Sequence, residues 1–208
     1  MNPVEIAEPM HSRWSPSVFD DRHELTDEEV TRLLEAAQWA PSSGNRQPWR
    51  YVVAPRGSAA HRVLVPHLRR GNAGWVPRAS VVFLSVVVLG TDGDELKDLV
   101  IPVHDVGQAS AHLTLQAHAM GLRAHQFGGF DHDGVAAGLG LPDGTRIVAG
   151  IAVGVRGNPD DVPERDAERD HRVRERRPLA ETAYDDQWGR PWPGLRPSGP
   201  TTAPAERA

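Results

Sequence analysis

Apolar residues at Val30, Leu33, Leu34 and Ala37 recur at i, i+3, i+4 and i+7, the spacing of one face of a helix. Thr26 and Glu29 stand at capping-box spacing ahead of that stripe. Asp27, Glu28 and Glu29 suit the positive end of the helix dipole. A strand is predicted over residues 50–54, ended by Pro55 and Gly57. Residues 58–70 have helical character, with Pro66 kinking or ending the element. A loop follows over residues 71–77, then a near-continuous β-branched run from Ser80 to Leu89, the pattern of a strand buried on both faces. A polar turn or short helix is expected over residues 91–97. Val106, Ala109, Leu113, Ala117 and Met120 step by three or four and predict a core-facing helix stopped by Gly121. Residues 133–139 read as a short helix and 146–155 as a third strand. Residues 160–177 are so charged that they predict a solvated arm. From Gly189 on, Pro, Gly, Ser, Thr and Ala dominate, so residues 189–208 are expected to be a disordered tail behind a single domain of residues 1–188.

Residues 41–49 punctuate this pattern most sharply. Pro41, Gly44 and Pro48 stop the first helix, and between them lie Ser42, Ser43, Asn45 and Gln47, a dense set of hydrogen-bonding groups next to Trp49. Such a loop suits a planar, polar heterocycle better than plain solvent, with Trp49 itself read as packing. Asp105 falls just ahead of the predicted helix stripe and is a candidate N-cap.

Composition narrows the possibilities. A chain of 208 residues is ample for one buried core. The net charge of −5, with both signs mixed, offers no basic face for nucleic acid. The run from Val81 to Leu89 is far too short to span a bilayer. Glu5, Glu8 and the lack of an apolar stretch argue against a secretory signal, and with no cysteine there is no disulfide and no thiolate chemistry. A cytoplasmic protein is expected. Lys97 is the only lysine, so an anionic ligand would be held by arginine, whose fork matches phosphate oxygens. His112 and His118 are six residues apart and point to different helix faces; no pair has zincin spacing, and no metal site is expected.

The ordered set of blocks resembles the FMN-dependent nitroreductase family. The blocks are 13–19 (RWSPSVF), 33–37 (LLEAA), 41–49 (PSSGNRQPW), 105–109 (DVGQA), Gly121-Leu122, 126–131 (QFGGFD), 151–154 (IAVG) and 174–179 (RERRPL). The resemblance implies an α+β homodimer with a central, mostly antiparallel sheet wrapped by helices. It implies bound FMN, reduced by NADH or NADPH and reoxidised by a small acceptor such as a nitroaromatic, a quinone or an enone. The flavin carries that chemistry, and no protein acid or nucleophile is required.

By the same resemblance, Arg13, Arg174 and Arg176 would contact the phosphate, and Ser15 and Ser17 the ribityl chain and ring edge. Pro41, Ser42, Ser43 and Asn45 would reach the flavin from the second subunit. Asn72 would meet the pyrimidine edge, Gly128 and Gly129 would bring backbone N–H groups to the ring, and Trp14 and Phe127 complete the implied set. Asp105 would lie near the flavin. Two positions depart from the family pattern: Ser17 and Trp75 stand where basic residues are usual, which lowers the local positive charge. A redox-dead flavin carrier, or a specialised relative such as a dehalogenase, a flavin-cleaving enzyme or an azoline oxidase, remains open beside the oxidoreductase.

Overall fold

The structure, a computed structural model, describes residues 6–89, 99–195 and 201–203. The element expected over residues 91–97 lies outside the described residues. The chain divides into two units, residues 1–167 and 168–208.

In the first unit, α1 (Asp27–Gln38) begins as the sequence predicts. Thr26 accepts from the Glu29 N–H while Glu29 accepts from the Thr26 N–H, so two orphan donors of the first turn are satisfied. Four strands follow: β1 (Trp49–Pro55), β2 (Val81–Val88), β3 (Arg123–Phe127) and β4 (Thr145–Gly154). They form one sheet in the order β1-β2-β4-β3, every neighbouring pair antiparallel, in register at Val52–Leu84, Leu84–Gly150 and Gln126–Ile151. The helices are α2 (Ala59–Leu64), ending near Pro66 as expected, α3 (Val100–Ala119) and α4 (His132–Leu139).

Strand β2 explains why its sequence does not alternate. Val82, Leu84 and Val86 enter one core with Phe19, Trp75, Phe127 and Phe130, while Val81, Phe83 and Val87 enter another with Leu33 and Ala37 of α1 and Val106 and Leu113 of α3. Side chains alternate with period two, but both faces are covered, so both sets are apolar. Gly150, opposite Leu84 on β4, leaves room for the Phe127 ring; a Cβ there would fall inside it.

Three expectations are corrected. Strand β3 was not foreseen: Arg123, His125 and Gln126 give an edge strand little apolar signal. Helix α3 starts at Val100, so Asp105 lies within it and is not its N-cap; Val100, Ile101 and Val103 are exposed, and their turn carries no core-facing stripe. The charged arm contains a helix, α5 (Glu164–Asp170), whose Asp166 is buried against the backbone of Gly74. In the C-terminal unit, β5 (Arg174–Arg176) pairs antiparallel with β6 (Thr201–Ala203).

Candidate functional site

The predicted site residues of the first unit gather in two groups. The first is built around the N-terminal block and the end of β3. Arg13 is half-buried and donates from Nη1 to Ser15 Oγ at 3.2 Å, which sets a cation beside a hydroxyl. Trp14 is buried, with the Arg156 guanidinium 5.5 Å from its ring centroid, so its ring belongs to the packing of this block. Ser17 is 3% exposed. The Pro16 carbonyl lies 2.8 Å from Nδ1 of His125, which fastens the block to β3.

His125 in turn stacks on Trp75, with centroids 4.2 Å apart. Trp75 is 1% exposed and also meets Phe19 and, edge-on, Phe127. The position where the resemblance expects a lysine is therefore a core position in this chain. Phe127 likewise has its ring in the core, leaving its backbone as the part that can face a ligand.

The turn at residues 69–76 joins the same group. The Arg69 N–H and Asn72 Nδ2 both donate to the carbonyl of Gly129, at 2.9 and 3.1 Å. A Cβ on Gly129 would stand 2.6 Å from Asn72 Nδ2, so this glycine is required by Asn72. Gly128 differs: it is exposed, and a Cβ there would meet nothing within 4 Å. The Gly128 carbonyl accepts from the Phe130 N–H and lies 3.1 Å from His132 Nε2.

The second group is the loop at 41–49. Gly44, Asn45 and Gln47 all have positive φ, at 57°, 56° and 49°. Glycine adopts that conformation freely and asparagine tolerates it, but in glutamine it is strained. Internal bonds hold the shape. Ser42 Oγ accepts from the Gln47 N–H at 3.0 Å, Gln47 Nε2 donates to Asn45 Oδ1 at 3.1 Å, and Arg50 donates to the Gln47 carbonyl at 3.1 Å. Pro41, Ser43 and Asn45 remain exposed, and Ser42 partly so. Asp105 of α3 reaches across and accepts the Ser43 N–H on Oδ2 at 2.9 Å. Sequence reasoning missed this role; the signal was an acid directly beside Val106 on a buried helix stripe.

Helix α3 also measures how far the loop lies from the N-terminal block. Asp105 holds the loop near its N-terminal end; thirteen residues on, His118 Nε2 lies 2.6 Å from Ser12 Oγ, next to Arg13. At 1.5 Å rise per residue the two anchor points are about 20 Å apart along the axis. Two concavities, of about 330 and 530 Å³, flank Arg50 and Tyr51 at the edge strand β1; neither is lined by a predicted flavin contact. Burial pushes the Tyr51 phenol up from its ordinary pKa, partly offset by the Ser110 side chain.

Arg174 and Arg176 belong to the C-terminal unit. Arg174 is half-buried; Arg176 is exposed, and its Nη1 donates to the Glu175 carbonyl at 3.0 Å. Among the described residues no helix is long and apolar enough to cross a membrane.

The four-stranded antiparallel sheet between helices is an α+β fold that recurs among solved structures. A protein described as an oxidoreductase containing FMN superposes with a TM-score of 0.78 at 32% identity, over 90% of this chain and 95% of that one. The profile of the Nitroreductase family matches residues 10–86 and 68–155. The "Uncharacterized 15.4 kDa protein in ask 5'region" of Mycolicibacterium smegmatis is 35% identical over 150 residues, 68% of this chain and 99% of that protein. The oxygen-insensitive NAD(P)H nitroreductase of Salmonella typhimurium is 35% identical over 60 residues, 29% of this chain and 28% of that protein. The chain belongs to the nitroreductase family.

Proposed function

We propose that this nitroreductase-family oxidoreductase binds FMN between two copies of the chain in the cytoplasm, takes electrons from NADH or NADPH, and reduces a small acceptor, a nitroaromatic, quinone or enone. The observation that carries the reading is the separation of the 41–49 loop from the N-terminal block that holds Arg13, about 20 Å along α3. A two-fold dimer with its α3 helices antiparallel would set the loop of one copy against the N-terminal block of the other. Exposed apolar residues around the loop support such a contact: Trp39 is 83% exposed, and Val100, Ile101 and Val103 precede Asp105.

The residues fit the cofactor. The Arg13–Ser15 pair offers a cation and a hydroxyl suited to a phosphate. Gly128 offers a backbone on which no Cβ obstructs a flat ring, and Asn72, fastened to Gly129, keeps an amide oxygen for a pyrimidine edge. The exposed hydroxyl of Ser43 and amide of Asn45 can orient the ring from the other copy. When bound, the flavin supplies hydride acceptance and donation. Arg13 would fix its phosphate, and Asn72 would hold Gly129 so that the open Gly128 faces the ring. The packing of buried Trp75 and Phe127 with half-buried His125 would keep water from behind that segment.

A second reading, flavin binding without turnover, is favoured by Ser17: it is buried and uncharged where the family pattern has a cation. The deciding experiment begins with the absorbance spectrum and light scattering of the purified protein, followed by anaerobic titration with NADH and NADPH. A dimer with oxidised-flavin bands that bleach supports the oxidoreductase. Bands that do not bleach favour the carrier. A monomer that binds FMN tightly rejects the shared site.

A further inference from the structure

We infer that Asp105 is a positioning residue: its buried carboxylate fixes the 41–49 loop in the conformation that receives the ligand. This rests on the flavin reading above. The carboxylate is 4% exposed. Oδ2 accepts the Ser43 N–H at 2.9 Å, and Oδ1 faces His104 Nδ1 at 3.4 Å and Gln108 Nε2 at 3.5 Å.

The loop needs such a hold. Its positive-φ residues cost free energy, and Asn45 and Gln47 carry side chains. The bonds of Ser42, Asn45 and Gln47 lie within the loop, and those that tie it to the sheet, from Arg50 of β1 to the Gln47 carbonyl and from the Val88 N–H to the Pro48 carbonyl at 2.8 Å, hold only its C-terminal end. The Asp105–Ser43 bond joins it to α3, whose Val106, Ala109 and Leu113 are fully buried against the sheet. A charge-assisted bond from a rigid helix to the backbone between Ser42 and Asn45 sets where both side chains stand, although Asp105 itself touches no ligand.

Three substitutions in the full-length protein test this. Asp105→Leu removes the acceptor at similar volume, and Asp105→Asn keeps an amide oxygen that can accept the Ser43 N–H. Ser43→Pro deletes the donor from the loop side; Ser42 is already extended at ψ 153°, as a following proline requires. The readouts are FMN affinity by fluorescence titration and hydrogen exchange at the Ser43 amide. Asp105→Leu is expected to weaken FMN binding about tenfold or more and to speed Ser43 exchange, while core amides of α3 stay protected. Asp105→Asn should be impaired less, and Ser43→Pro should bind FMN more weakly than Ser43→Ala, which retains the N–H. Unchanged Ser43 exchange in Asp105→Leu, or equal binding by Ser43→Pro and Ser43→Ala, overturns the inference. If Asp105→Leu does not fold, the comparison at Ser43 still decides. A wild-type protein that binds no FMN refutes the flavin reading instead, and Ser43 exchange then tests the loop hold by itself.

Discussion

Trp75 and His125 stack with ring centroids 4.2 Å apart and planes 20° from parallel, and the far side of that stack leads to the carbonyl of Pro16. An aromatic pair, with its indole buried, thus supports the segment that carries Arg13, Ser15 and Ser17. The indole is a structural part of the candidate site without being exposed in it. It stands at the position where a cation is expected from the family pattern, and the enclosing Phe19 and Phe127 would strongly disfavour a charge there.

Trp75→Ala should therefore act first on stability. Removing a fully enclosed indole is expected to cost about 3–5 kcal/mol. Urea unfolding should show a lower midpoint, and FMN retention should fall with it because the N-terminal block loses its support. An unchanged midpoint would mean that the stack contributes little.

Gly128 and Gly129 should separate packing from ligand access. At Gly129 a methyl group meets Asn72 Nδ2 at 2.6 Å, so Gly129→Ala must displace the amide and break its bond to the Gly129 carbonyl. Gly128→Ala meets nothing within 4 Å and should leave the melting temperature of the flavin-free protein within about 1 °C, the shift of a few tenths of a kcal/mol. Weaker FMN binding by Gly128→Ala at unchanged apo stability would place the ligand against that backbone. Equal FMN affinity for wild type and Gly128→Ala would remove Gly128 from the contact set.

Arg13→Ala should weaken FMN binding more than Arg32→Ala, a control on the exposed face of α1 paired with Glu28. Loss of a charge-assisted contact to phosphate is worth about 1.5–3 kcal/mol, whereas a surface ion pair is worth less than about 1 kcal/mol. Isothermal titration with FMN measures both. Equal retention would exclude Arg13 from the phosphate site.

The parts legible in the sequence were those with a local code. Helix α1 was announced by its stripe and by the Thr26–Glu29 box, and β2 by its unbroken β-branched run. The polar 41–49 loop stood out because proline and glycine bracket hydrogen-bonding residues. What escaped depended on distant partners. Strand β3 shows little apolar alternation because only Ala124 and Phe127 of its five residues are buried. The role of Asp105 needs the fold to bring Ser43, 62 positions away, against α3. The pairing of β5 with β6 likewise joins residues far apart in a polar sequence.

His61 should make the fold sensitive to mild acid. It lies on α2 at 7% exposure, and its Nε2 makes no hydrogen bond among the described residues. Burial, and then the positive charge of Arg56, lower its pKa from the ordinary value near 6.5. The sign follows from linkage. Above about pH 6.5 the ring is neutral in both folded and unfolded chains and adds no pH dependence. As pH falls below that value the unfolded chain takes up the proton first, so it binds more protons than the folded chain and stability declines. The stabilising contribution of the neutral, buried ring is thus present above pH 6.5 and lost as pH falls through the lowered folded value. His61→Gln, which cannot titrate, should flatten this slope. Urea midpoints for both proteins, measured between about pH 7.5 and 5, isolate the effect, since the other nine histidines are common to both. Parallel pH profiles would show that His61 is protonated in the folded state as readily as in the unfolded chain.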